Sequence, residues 1–224
     1  MTSFDEFYET LIDNVKDHLY NLKQKELQEI LTMLISGMKI RELVKLITDE
    51  NHFSFENVFK LLERKRPEIL KRLLEEPSDE KDMKVPITNL FKDMGYKIAY
   101  EVPYPLTRRK RKIDLVAYKP PRRFLGRGRI ISVEIKSKAS LGDIDKSFSQ
   151  AVDYLKCSDY VYVAFTPYTF IKYRKTIEKK LDTYDLIGLI ITDKRKASII
   201  IDAVENTEYE NDLYTKVMES LLKS

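Results

Sequence analysis

Lys112-Ile113-Asp114-Leu115-Val116-Ala117-Tyr118 and, after a basic connection, Arg129-Ile130-Ile131-Ser132-Val133-Glu134-Ile135-Lys136 are the two runs whose reading decides the fold. Aliphatic side chains alternate with polar ones in the second run, the two-residue period of a strand that buries one face. Ile131, Val133 and Ile135 take that face, and Ser132, Glu134 and Lys136 take the other. In the first run Ile113, Leu115 and Ala117 share a face and leave Asp114 opposite. Antiparallel pairing of the two runs brings Asp114 beside Glu134, with Lys136 roughly 6 to 7 Å further along the strand.

Two adjacent carboxylates repel one another, and a hard divalent cation relieves the repulsion by taking oxygens from both, with water and a phosphate completing its shell. Lys136 then stands where it can orient or help deprotonate an attacking water and offset charge on a phosphorane-like transition state. That is the chemistry of phosphodiester hydrolysis. The Glu-x-Lys pattern alone says little in a chain that is 34% charged, because Glu63-Arg64-Lys65 and Glu178-Lys179-Lys180 repeat it inside helical patterns. Only Glu134-Ile135-Lys136 lies on an apolar strand one hairpin after an isolated Asp. The plainer alternative is a surface ion pair of Glu134 with Lys136 or Arg129 on an exposed sheet face.

The next helix, from about Asp143 to Lys156, carries an apolar stripe of Ile144, Phe148, Ala151, Val152 and Leu155. Beside it run Asp143, Ser147, Gln150 and Tyr154. Gln150 and Tyr154 are four apart and face the same way, a polar ledge over the site.

Working outward, residues 1 to 77 read as an all-helical domain with apolar residues at three- and four-residue spacing. Its Gly37–Lys65 stretch, a helix, a turn and a second helix opening at Ser54, has the layout of a helix-turn-helix, with dimerisation as the other role. Glu76-Pro77-Ser78-Asp79 marks the boundary, and residues 78 to 224 form the second domain. Ser78 or Asp79 caps its first helix, which ends at Gly95 and is expected to start or kink at Pro86. Strands over 96–102, 112–118 and 129–136, the Gln150 helix and a strand over 160–165 complete an αβββαβ order. A helix, two strands and a last helix follow, so the class is α/β with a mixed sheet flanked by helices.

Net charge is +4, but ten basic residues and one acid between Thr107 and Arg129 make that segment +9 and the remainder −5. Arg108, Arg109, Lys110, Arg111, Lys112, Arg122, Arg123 and Arg127 there are candidate contacts to a nucleic-acid backbone. No apolar run reaches the roughly 18 residues that a membrane span needs, and no secretory leader is visible, so a cytoplasmic protein with no membrane partner is expected. Cys157 is a lone cysteine, as suits a reducing compartment, and reads as structural; His18 and His52 sit among helical residues. Abundant Lys, Glu and Ile with three Gln resemble a heat-adapted composition.

Together, Ile113-Asp114, Glu134-Ile135-Lys136 and Gln150-Ala151-Val152-Asp153-Tyr154 resemble the PD-(D/E)XK nuclease superfamily, in the RecB-like branch whose helix carries Gln-x-x-x-Tyr. The resemblance spans about residues 79 to 165 and implies a restriction-endonuclease-like core. It implies that Asp114 and Glu134 hold Mg2+ or Mn2+, with the Ile135 carbonyl as a further ligand, and that Lys136 is the catalytic lysine. An acid on the first core helix often joins such sites; Glu80 matches best by position, with Asp79, Asp82 and Glu101 as rivals. Ile113 departs from the eponymous proline. The expectation is a metal-dependent nuclease acting on DNA, monomeric or a homodimer. Because some members of the superfamily bind DNA without cutting it, the alternative is an inactive DNA-binding or regulatory protein on the same scaffold.

Overall fold

The computed structural model describes residues 5–11, 13, 48–49, 52–53, 55–65, 67–105, 111–121 and 128–223. The chain divides into two compact units, Ser3–Glu76 and Pro77–Ser224. In the first, residues 5–11 are helical, β1 (Thr48–Asp49) and β2 (His52–Phe53) pair antiparallel, and α1 (Phe55–Lys65) and α2 (Pro67–Leu73) follow. The expectation of an all-helical domain is corrected by that hairpin, in which Thr48 faces Phe53 across the pair, two residue types that favour extended backbone. Most of the stretch read as a helix-turn-helix, with Ser54 and His18, lies outside the described residues.

The second unit is built from α3 (Glu80–Asp93), β3 (Lys97–Pro103), β4 (Lys112–Lys119), β5 (Arg129–Lys136), α4 (Leu141–Leu155), β6 (Tyr160–Phe165), α5 (Pro167–Thr183), β7 (Ile187–Thr192), β8 (Ala197–Ile201) and α6 (Asn211–Lys223). The sheet order is β3-β4-β5-β6-β7-β8. The β5–β6 and β6–β7 pairs are parallel and the rest antiparallel. This is a six-stranded mixed sheet with helices against it. The parallel centre needs cover on both faces, which is why every residue of β7 is buried. Gly188 is required there: a Cβ would come within 2.5 Å of the Tyr162 ring and 2.6 Å of the Ala203 nitrogen.

Helix α3 sits against one face through Met83, Ile87 and Phe91, which join Leu115, Ala117, Ile131, Val133, Ile135 and Ala164 in one core cluster. The alternation therefore sends Glu134 and Lys136 to the other face, where α4 packs on β5 and β6. Asp79 caps α3, its carboxylate accepting from the Lys81 and Asp82 amides. The helix starts six residues before Pro86 and runs through it, contrary to a start at the proline. The cap at Asp79 and the buried Met83, Pro86, Ile87 and Phe91 hold the helix on both sides of the proline, and this outweighs one lost main-chain bond. At its far end Gly95 takes φ 79°, Tyr96 donates to the Phe91 carbonyl and Gly95 to that of Lys92, a Schellman closure that launches β3. Ser140 and Asp143 form a reciprocal capping box at the start of α4. Among the described residues no helix is long and apolar enough to cross a membrane.

Candidate active site

The β4–β5 ladder runs from Lys119 and Arg129 down to Leu115 and Val133, and one step further the same register sets Asp114 opposite Glu134. There a side chain takes the place of a main-chain partner. The Ile135 amide donates to Asp114 Oδ2 at 2.9 Å, which fixes that carboxylate beside the Ile135 backbone. Glu134 is 2% exposed, so it is not on an open sheet face. The Tyr154 hydroxyl donates to Glu134 Oε2 at 2.8 Å and lies 3.3 Å from the Lys112 carbonyl oxygen. Lys136 turns to the first helix, its ammonium donating to Glu80 Oε1 at 2.9 Å.

Electrostatics follow from this burial. Loss of solvent pushes the Glu134 carboxyl up to about 8, and the charge of Asp114 beside it adds to the rise. Burial also raises Asp114, opposed by the Ile135 amide and by Lys136. For Lys136 burial acts against the charged form, yet Glu80, Glu134 and Asp114 outweigh it and hold the lysine above its ordinary value. A lysine kept charged donates hydrogen bonds and neutralises anions; it does not take a proton from water. Burial, then Glu134, raises the Tyr154 hydroxyl, which therefore stays a donor.

Gln150 lies one turn before Tyr154 and interacts with its hydroxyl. Among the described residues, Gln150 Oε1 is the buried side-chain oxygen or nitrogen left without a hydrogen-bond partner. Such an atom costs about 1–3 kcal/mol, a cost that a ligand donating to it would offset. The Asp114 and Glu134 carboxylates, side by side across the ladder, both offer oxygen donors. That set fits a hard divalent cation of the Mg2+ or Mn2+ kind, whose charge would relieve the two raised carboxyl groups. Glu80 is tied to Lys136. Among the described residues no three His, Cys, Asp or Glu side chains cluster as a ready-made cation site. The rival acids are engaged elsewhere: Asp79 on the cap of α3 and Asp82 on the Ser78 amide.

Glu101, the remaining rival acid, has an unexpected conformation. Tyr100 pairs with Leu115 and Val102 with Ile113, so Glu101 stands opposite Asp114, and its φ is 53°. Its carboxylate pairs with Lys84, one helical turn after Glu80 on α3. A left-handed residue other than glycine costs about 1–2 kcal/mol, whereas an exposed ion pair returns about 0–1 kcal/mol. The pair alone does not account for the conformation.

Of the basic residues singled out, Arg108, Arg109, Lys110, Arg122, Arg123 and Arg127 lie outside the described residues. Arg111 pairs with Asp153 on α4, and Lys112 is exposed at the start of β4. Tyr104 donates to the Asp153 carbonyl at 2.8 Å and sets its ring edge-on to Tyr154, centroids 5.7 Å apart. The basic segment is thus tied, near its start, to the turn that carries Tyr154. Sequence reasoning missed Lys84, Tyr104 and the Arg111–Asp153 link; for Lys84 the one signal was its position four residues after Glu80. Cys157 is buried, and burial pushes its thiol up to about 11, so it stays protonated.

The chain matches no family model and no curated protein. Among solved structures it is similar to a protein of unknown function from Silicibacter pomeroyi, with 14% identity, 66% of this chain and 86% of that chain covered, and a TM-score of 0.46.

Proposed function

We propose that the chain is a metal-dependent nuclease that hydrolyses DNA phosphodiester bonds on a restriction-endonuclease-like αβββαβ core. One observation carries the reading: two carboxylates, the half-buried Asp114 and the buried Glu134, share a strand register beside a charged Lys136, with the unpartnered Gln150 Oε1 on the helix above. Asp114, Glu134 and the Ile135 carbonyl would hold Mg2+ or Mn2+, which when bound supplies Lewis-acid activation of a water and of the phosphate. The protein's own part is to position and to balance charge. Tyr154 holds the Glu134 carboxylate by a hydrogen bond, the Ile135 amide holds that of Asp114, and Glu80 steadies Lys136. Lys136, protonated, faces the charge that develops on the phosphoryl oxygens and orients the attacking water. Gln150 would accept a hydrogen bond from water or substrate at the same wall. The +9 segment from Thr107 to Arg129, which includes Arg111 and Lys112, would draw in the DNA backbone, the cytoplasm being the expected compartment.

A second reading has one observation in its favour. Among the described residues no third acid joins Asp114 and Glu134 in a cation cluster, which suits a protein that holds DNA on this scaffold without cutting it. The test is a panel of single-stranded, duplex, flap and branched DNA, each with Mg2+ and with Mn2+ over a range of salt. Cleavage of at least one substrate is expected. Binding of several with cleavage of none would establish the second reading instead.

A further inference from the structure

Resting on the nuclease reading, the geometry points to Lys84 as a phosphate-binding residue of the same site, held in reserve by Glu101. Helix α3 brings Glu80 to Lys136 at 2.9 Å, and residues four apart share a helix face about 5–6 Å from one another. Lys84 is therefore the next group on the face that meets the site. Glu101, which pairs with Lys84, stands opposite Asp114 across β3 and β4. Glu80–Lys136 and Lys84–Glu101 thus run as two ion pairs along one rim, with Asp114 between them.

The two pairs differ in what they ask of the backbone. Glu80 sits in ordinary helix, whereas Glu101 adopts φ 53°, a conformation that its partly exposed ion pair does not explain. Lys84 is itself mostly covered, with 19% of its side chain exposed, and its ammonium lies 5.9 Å from the centre of the exposed Tyr100 ring. Lysine presents three donors on a flexible stem and binds phosphate as a point charge. When a phosphodiester arrives, Lys84 exchanges the Glu101 carboxylate for a phosphate oxygen on the β3 side of Asp114, while Lys136 serves the other side.

The experiment is fluorescence anisotropy of a labelled duplex titrated with protein in Ca2+, as a function of salt, for wild type, Lys84→Met, Lys84→Arg, Glu101→Gln and the double variant Lys84→Met/Glu101→Gln. Methionine keeps the stem that packs on the helix, and thermal melting checks that each variant folds. Removing one lysine–phosphate interaction is expected to make the slope of log K against log salt shallower by about 0.9 in Lys84→Met, with the slope restored in Lys84→Arg. Glu101→Gln frees the lysine and should tighten binding by up to about fivefold, and that gain should vanish in the double variant. A Lys84→Met slope equal to wild type, or a Glu101→Gln gain that survives without Lys84, would overturn the assignment while leaving the nuclease reading in place. Wild-type protein that binds no nucleic acid at any salt would overturn both.

Discussion

Glu134 is the residue on which the chemistry of the site turns, because its surroundings disfavour the charge that a cation needs. Burial and Asp114 raise its carboxyl from an ordinary 4.5 to about 8. A raised carboxyl contributes to folding through its protonated form, fully below about pH 4.5 and progressively less as pH rises through about 8. Glu134→Gln stays neutral throughout. In the absence of divalent cations the variant should gain on wild type between those limits by up to about 1.4 kcal/mol per pH unit, then hold a constant lead. Denaturant melts across that range measure it, and a gap independent of pH would contradict the role given to burial. The same residue predicts the reverse with metal present. Mn2+ binding near neutral pH should release a proton as Glu134 ionises, seen as a calorimetric heat that depends on the buffer, and affinity should climb up to about pH 8.

At the scale of elements, β3 and α3 carry the strain and the charges that frame Asp114. Glycine adopts φ 53° without the clash that a Cβ makes, so Glu101→Gly should stabilise the fold by about 1 kcal/mol even though it loses the Lys84 pair. A melting temperature below wild type would show that the ion pair, and not the conformation, dominates. Asp114 and Glu134 could be read from the sequence because a strand's period of two forces a lone polar residue off the aliphatic face, and that period is local. Glu80 could be placed only by position, since its bond to Lys136 depends on where the start of α3 lands against the end of β5. Glu101 could be named as a rival acid, but its conformation and its Lys84 partner could not be read: local preference opposes left-handed glutamate, and only the β3–β4 register and the helix beside it hold it there. Pro86 misled for the opposite reason. It is a strong local signal, and the Asp79 cap together with the buried Met83, Ile87 and Phe91 outweighs it.

For the whole molecule, charge is sorted rather than spread, with +9 between Thr107 and Arg129 and −5 elsewhere. Near its start that segment is anchored by Arg111 to Asp153, beside the Tyr104 bond to the Asp153 carbonyl, at the turn of α4 that presents Tyr154. Replacing Arg108, Arg109, Lys110 and Arg111 by Gln should flatten the salt dependence of duplex binding by about 0.9 for each phosphate no longer neutralised. An unchanged slope would put the DNA on another surface. The central claim is that Asp114, Glu134 and Lys136 cut a phosphodiester with a divalent cation. It is tested most directly by the Mg2+-dependent cleavage rate of the best DNA substrate under saturating protein, wild type against Asp114→Ala. The predicted result is a drop of about a hundredfold or more with DNA affinity nearly unchanged; cleavage that survives the substitution, or wild-type protein that cuts no DNA with either cation, would contradict it.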